Sequence, residues 1–181
     1  MKLTRTAIEE ILKTSKESHK SADLIGLEIQ DADLSGLDLT NANLTGARFV
    51  GTNITYAEFF GADLTSATFD RCSGKFASFA ATLLNATSFY NCNLMSADMF
   101  SALGKRCRII DCDLSYSILK NVSFINTDFN GSDLTEAQLV SSKFLECSFE
   151  DVALSGVVIN GTEFFDCRHL YVTISSTPPG E

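Results

Sequence analysis

Residues 22–46 read ADLIG LEIQD ADLSG LDLTN ANLTG, from Ala22 to Gly46. Written in fives, the stretch aligns Leu24, Ile29, Leu34, Leu39 and Leu44 in one column and Ala22, Leu27, Ala32, Leu37 and Ala42 in another, two residues earlier. Stepping by five from Leu24 reaches Ile174 without a slip, through 31 centre positions. Twelve are Leu, ten Phe, five Ile and one Met; the exceptions are Gly74, Gly104 and His169. The column two residues before each centre holds 11 Ala, 6 Cys, 5 Thr, 4 Val, 3 Ser and 2 Leu. A five-residue period matches neither the helix at 3.6 nor the strand at 2. It lets every fifth side chain face one axis only if the chain bends regularly: a short extended side, then a corner. Gly26, Gly36, Gly46, Gly51, Gly61, Gly131, Gly156 and Gly161 lie two residues after centres, at those corners.

The pattern resembles the pentapeptide-repeat family, whose motif is A(D/N)LXX, over residues 22 to about 174. The resemblance implies an all-β fold, a right-handed quadrilateral parallel β-helix. In it, four pentads make a 20-residue square coil, and the 31 pentads make nearly eight coils. At a strand spacing of about 4.8 Å the rod is roughly 37 Å long. Burying one Leu or Phe at a centre contributes about 1.5–3 kcal/mol, largely offset over the whole chain by conformational entropy. A repeat rod has open ends that need caps.

Residues 1–20 lie outside the register. Thr6-Ala7-Ile8-Glu9 fits a capping box with Thr6 as N-cap, and Ile8, Ile11 and Leu12 share a helical face. The expected division is a helical cap over 1–20, with its helix from about Ala7 to Ser18, a solenoid over 21–176 and a flexible tail over 177–181. Gly74 and Gly104 leave gaps at the axis; the reading there is a distorted coil, with Phe76 turned inward to fill the first gap. His169, at a centre, predicts a relaxed last coil that exposes its ring.

The 181-residue chain carries 14 Lys or Arg against 23 Asp or Glu, a net charge of −9, with mean hydropathy +0.09. Residues 1–20 hold five basic and three acidic residues, so the rod itself is at −11. Such acidity opposes direct nucleic-acid binding through phosphates. No apolar run is long enough for a transmembrane helix. Met1-Lys2-Leu3-Thr4-Arg5 leads into charge rather than a signal core. A bacterial, cytoplasmic protein away from the membrane is the expectation.

Six cysteines in a short chain suit a disulfide framework, a zinc site or buried thiols. Cys72, Cys92, Cys107, Cys112, Cys147 and Cys167 all occupy the small inward column, and no C-x-x-C pair occurs. They read as structural thiols that react only on unfolding. No phosphate-loop, dinucleotide, nucleophile-elbow or metalloprotease motif is present, so no enzyme, catalytic residue, metal or cofactor is expected.

Two functional readings remain. Phe60, Leu83, Phe100, Leu103, Ile125, Leu145 and Phe165 fall on outward positions near one edge of the rod, and exposed apolar patches tend to be interfaces. The leading reading is a rigid protein-interaction module, a monomer or weak dimer, whose partner no motif decodes. The alternative follows from the resemblance: some family members act as acidic mimics of DNA, bind DNA gyrase and protect it from quinolones. Asp33, Asp63, Asp98, Asp113 and Asp133 would then form the mimicking face. Such members commonly dimerise through a C-terminal module, which is not visible here. Lys105, Arg106 and Arg108 interrupt the acidity beside Cys107.

Overall fold

The structure is a computed structural model and describes residues 4–171. One helix, α1 (Arg5–Glu17), precedes a parallel β-solenoid. The helix starts two residues earlier than the capping-box reading places it. Thr4 is the N-cap and its hydroxyl accepts from the Ala7 amide at 3.3 Å, while Glu9 turns to Arg5, accepting from Nε at 2.7 Å. Ile8 and Leu12 are buried on the first turn of the solenoid. The Arg5 guanidinium donates to the Asp33 and Ser35 carbonyls, and Lys16 pairs with Asp38 at 2.7 Å. No described helix is long and apolar enough to cross a membrane.

Every pairing along the rod joins residues 20 apart and is parallel. β1 (Glu28–Gln30), β2 (Arg48–Val50), β3 (Thr68–Asp70), β4 (Ser88–Tyr90) and β6 (Arg108–Ile110) stack as one sheet. β5 (Leu103–Lys105), β7 (Ser123–Ile125), β8 (Lys143–Leu145) and β9 (Glu163–Phe165) stack as the other. Four pentads therefore make each turn. Sides 1 to 4 are those whose first centres are Leu24, Ile29, Leu34 and Leu39. The described residues complete seven turns and begin an eighth. The remainder of that turn, with Ile174, and the expected tail lie outside the described residues.

The bend is set at the corners. The residue two after each centre, from Gly26 to Asp166, is in the left-handed region without exception; only eight of these are Gly. At most corners the turn closes with a hydrogen bond from the third residue after a centre to the centre carbonyl, as in Ala47 N to Leu44 O at 2.9 Å. This is the geometry of a turn that wants φ > 0 at its third position. Two rows of corners lack this bond, between sides 2 and 3 as far as Ile109–Cys112 and between sides 1 and 2 from Gly104–Cys107 onward, so the fifth turn has both; Leu119–Val122, Leu139–Ser142 and Leu154–Val157 lack it as well.

All six cysteines directly follow such open corners. Cys72, Cys92, Cys147 and Cys167 donate their thiols to the carbonyls of Phe49, Phe69, Phe124 and Phe144 at 3.3–3.6 Å, each 23 residues back. Ser132 and Ser142 do the same for Ile109 and Leu119. The small column thus supplies donors to buried centre carbonyls that have no turn partner, as well as a small volume; Thr87 and Cys107 donate in the same way to Leu64 and Leu84, whose turn bonds are present.

The centres fill the axis as aromatic ladders. Phe49, Phe69 and Phe89 stack at 4.5 and 4.7 Å, edge-on to the Phe59–Phe79 stack. Phe129 and Phe149 stack at 5.2 Å beside Phe144 and Phe164. The coils keep their register at the two glycines, although the corner after Gly104 loses its turn bond. Leu94 and Ile54 close over Gly74, Phe124 and Cys107 close over Gly104, and the 20-residue register runs through both. Phe76 does not turn inward; it is 48% exposed and stacks on Tyr56 at 5.1 Å. His169 is exposed with φ 57°, and Leu170 packs against the core in its place.

Candidate functional site

Side 4 and its two corners carry most of the outward apolar surface. Phe60 and Phe100 follow its second and fourth centres, 50% and 44% exposed, with Ala80 buried between them. They are two turns, about 10 Å, apart. Around the corner, Leu83 and Leu103 pair directly at the edge of side 1 and are also exposed. The structure therefore brings Phe60, Phe100, Leu83 and Leu103 together. Ile125, Leu145 and Phe165 form a separate row: they stack in register on β7, β8 and β9, with Lys105 next in line. Of that row only Phe165 is exposed; Ile125 and Leu145 are half-buried.

The opposite corner of side 4 adds three aromatics: Tyr56 and Tyr116, which the sequence reading passed over, and Phe76, which it turned inward. Tyr56, Phe76 and Tyr116 are all exposed and all in the left-handed region, with φ 57–60°. Bulky side chains are uncommon there. Their signal was available in the sequence: they are aromatics at corner positions, where the repeat otherwise sets Gly, Asn, Asp, Ser, Ala, Arg or Glu.

The five aspartates assigned to an acidic face do not share one. Asp33, Asp113 and Asp133 lie on side 3, Asp63 on side 1 and Asp98 on side 4. Each instead has a local task. Its carboxylate accepts the amide of the residue two further on, at 2.8–3.0 Å: Ser35, Thr65, Phe100, Ser115 and Thr135. Asn43, Asn53 and Asn93 replace Asp with the same bond, which explains why the repeat accepts either residue. At Asp33 that hydrogen bonding, the Ser35 amide first, holds the carboxyl below its usual range.

A second feature lies on side 2 of the last turns, where the open corner has moved. A polar trough of about 450 Å³ runs from Arg106 and Arg108 past Asp128, Glu146 and Glu150 to Arg168. Its floor includes buried Thr127 and Ser148. Asn130 stiffens one wall by accepting from the Ser148 hydroxyl and the Glu150 amide at 2.8 and 3.0 Å.

A family description, pentapeptide repeats, matches residues 32–71 and 107–144 with eight copies. Those residues fall on the same five-residue register that closes each turn. The chain carries pentapeptide repeats. No curated protein matches its sequence. Among solved structures it is similar to full-length QnrB1, a plasmid-mediated fluoroquinolone resistance protein. The TM-score is 0.57 at 17% identity, over 78% of this chain and 91% of that one. It is also similar to a pentapeptide repeat protein from the Arabidopsis thaliana thylakoid lumen, at TM-score 0.48 and 26% identity over 64% and 66% of the two chains. The QnrB1 likeness shows the solenoid fold.

The thiols of this repeat chain are set by burial. Burial pushes Cys107 up to about 11 and Cys147 up to about 12. Cys72 and Cys112 are pushed up by the Cys92 sulfur beside them and then by burial, while Cys92 between them is held lower by both neighbours. Among the described residues no three or more His, Cys, Asp or Glu side chains are grouped to hold a metal ion. Cys167, half-buried in the last turn, departs from the expectation that all six react together. Reaction depends on exposed thiolate. With a chromogenic disulfide reagent at pH 8, Cys167 is expected to react first and the other five only as the protein unfolds. A second native thiol reacting as fast as Cys167 would contradict this.

Proposed function

We propose that the protein is a non-enzymatic scaffold that binds a protein partner through side 4 and its corners. The observation that carries this is the exposure of Phe60, Phe100, Leu83 and Leu103 together at one corner, with Tyr56, Phe76 and Tyr116 along the other. Exposed apolar patches of this kind mark binding surfaces, and aromatic residues are enriched in interface cores. The three corner aromatics add weight, because the backbone there favours small residues and a bulky one costs of order 1 kcal/mol or more.

The double variant Phe60→Ser/Phe100→Ser tests the reading. Both side chains are exposed, so melting should stay within about 0.5 kcal/mol of the parent. Complexes captured from the native host, and any self-association seen by sedimentation, should weaken at least tenfold. Unchanged complexes with unchanged melting would defeat the proposal.

A second reading, an acidic DNA mimic acting on DNA gyrase, draws support from the fold shared with QnrB1, described as a fluoroquinolone resistance protein. The scatter of Asp33, Asp63, Asp98, Asp113 and Asp133 over three sides weighs against it. Gyrase supercoiling in the presence of the purified protein, with and without a quinolone, separates the two. Neither inhibition nor protection would remove the mimic.

A further inference from the structure

The trough on side 2 is built from charges of both signs in a fixed order. Arg106 and Arg108 stand at its start, in the fifth turn. Glu146, in the same corner row as Arg106, and Glu150, on the facing wall, stand two turns later. Among the described residues, none of these four makes an ion pair within 4 Å, although Lys143–Glu163 and Arg71–Asp70 do so elsewhere on the rod. The side's own backbone offers a ligand little. Its amides and carbonyls are engaged turn to turn, as in Arg108 N to Thr87 O and Asp128 N to Cys107 O. Recognition must therefore come from side chains.

The spacing narrows the choice of ligand. Two turns at about 4.8 Å place the cationic and anionic stations about 10 Å apart. A strand cannot match this with one face, because side chains three residues apart point to opposite sides. A polyproline II segment can: it has three residues per turn and rises about 3.1 Å per residue. Residues i and i+3 therefore share a face about 9.3 Å apart, and the backbone needs no partner. A nucleic-acid strand fits poorly, since its phosphates would meet Asp128, Glu146 and Glu150.

We infer that the trough is a docking site for a proline-rich peptide segment in the polyproline II conformation. The segment carries an acidic side chain for Arg106 and Arg108 and a basic one, three residues later, for Glu146 and Glu150. The site is separate from the apolar surface of side 4 and stands or falls independently of it.

Fluorescence anisotropy with labelled hexapeptides on the full chain tests this. The probe is Pro-Glu-Pro-Pro-Lys-Pro, with Pro-Glu-Lys-Pro-Pro-Pro as the isomer of wrong spacing and Pro-Lys-Pro-Pro-Lys-Pro as the dibasic control. The probe should bind saturably and at least roughly tenfold more tightly than its isomer, and weaken as salt screens the contacts. Arg106→Glu/Arg108→Glu should abolish that preference and gain the dibasic peptide. Glu already occupies the equivalent corner two turns on, at Glu146 with φ 56°, and Arg108 is an exposed strand position, so the variant should melt as the parent does. Equal binding of the two isomers, a double variant that still prefers the probe, or tighter binding of a single-stranded oligonucleotide would each overturn the inference.

Discussion

Replacing Phe69 with Ala is expected to lower the melting temperature by roughly 6–20 °C. Phe69 is fully buried and sits at the middle of an aromatic cluster. Its ring stacks on Phe49 and Phe89 with interplanar angles of 2° and 9°, and meets Phe59 and Phe79 edge-on at 6.0 and 5.9 Å. Truncating a buried Phe costs about 3–5 kcal/mol, and more where the surroundings cannot close the cavity. Here they cannot. The neighbouring rings hang from β2 and β4, whose spacing is held by the ladders to β3 on either side. In a chain of this length each kcal/mol moves melting by about 2–4 °C. The location of the loss is also expected to show. In a linear array each turn leans only on its neighbours, so amide exchange should rise around residues 49–89 more than around 124–149. Phe100→Ala is the control, since that ring is exposed and should change melting by no more than about 2 °C. A Phe69→Ala protein that melts with the parent would refute the axial packing.

The solenoid was legible because its physics repeats. One period fixes which residues face the axis, and two columns in one register leave little else to decide. The number of sides was not in that period. It came from resemblance and is now carried by the 20-residue pairing of Glu28 with Arg48 and its successors. What the period hides is any feature that varies around it. The open corners are one case: Cys72 and Ala77 occupy the same column, yet only Cys72 follows a corner whose centre carbonyl lacks a turn bond. The surface is the other. Outward positions bear no packing constraint, so Phe60 and Phe100 were found as exceptions to polarity, whereas Tyr56 and Tyr116 were missed and Phe76 was placed at the axis. A corner looks like a place for glycine, yet 21 of the corners from Gly26 to Asp166 hold another residue in the left-handed region. The acidic face failed for a related reason. Asp at the same pentad position recurs on every side, so recurrence along the chain does not make a face.

Restoring the repeat at Gly104 is expected to destabilise the protein. By column statistics the substitution Gly104→Leu corrects a defect, since 28 of 31 centres are large and apolar. The packing says the reverse. A Cβ at residue 104 would stand 2.6 Å from Cys107 Sγ and 2.7 Å from Cδ1 and Cε1 of Phe124. Phe124 has no room to retreat: it is fully buried, edge-on to Phe129 at 5.5 Å and against Phe144. Overpacking of a core costs about 1–3 kcal/mol, which is a fall in melting of about 2–12 °C at this chain length. Gly74→Leu should cost less, because its Cβ would meet the ends of the flexible Leu94 and Ile54 side chains, at 2.9 and 3.2 Å. The cause is checked by a double-mutant cycle with Phe124→Leu. If the ring of Phe124 is what fills the space above Gly104, the two substitutions should compensate, with a coupling of at least about 1 kcal/mol. Additive losses would mean that the fifth turn, where both open corners meet, resists any side chain at residue 104 for a reason of its backbone. A gain in stability from Gly104→Leu alone would mean that Phe124 does not lie over the glycine at all.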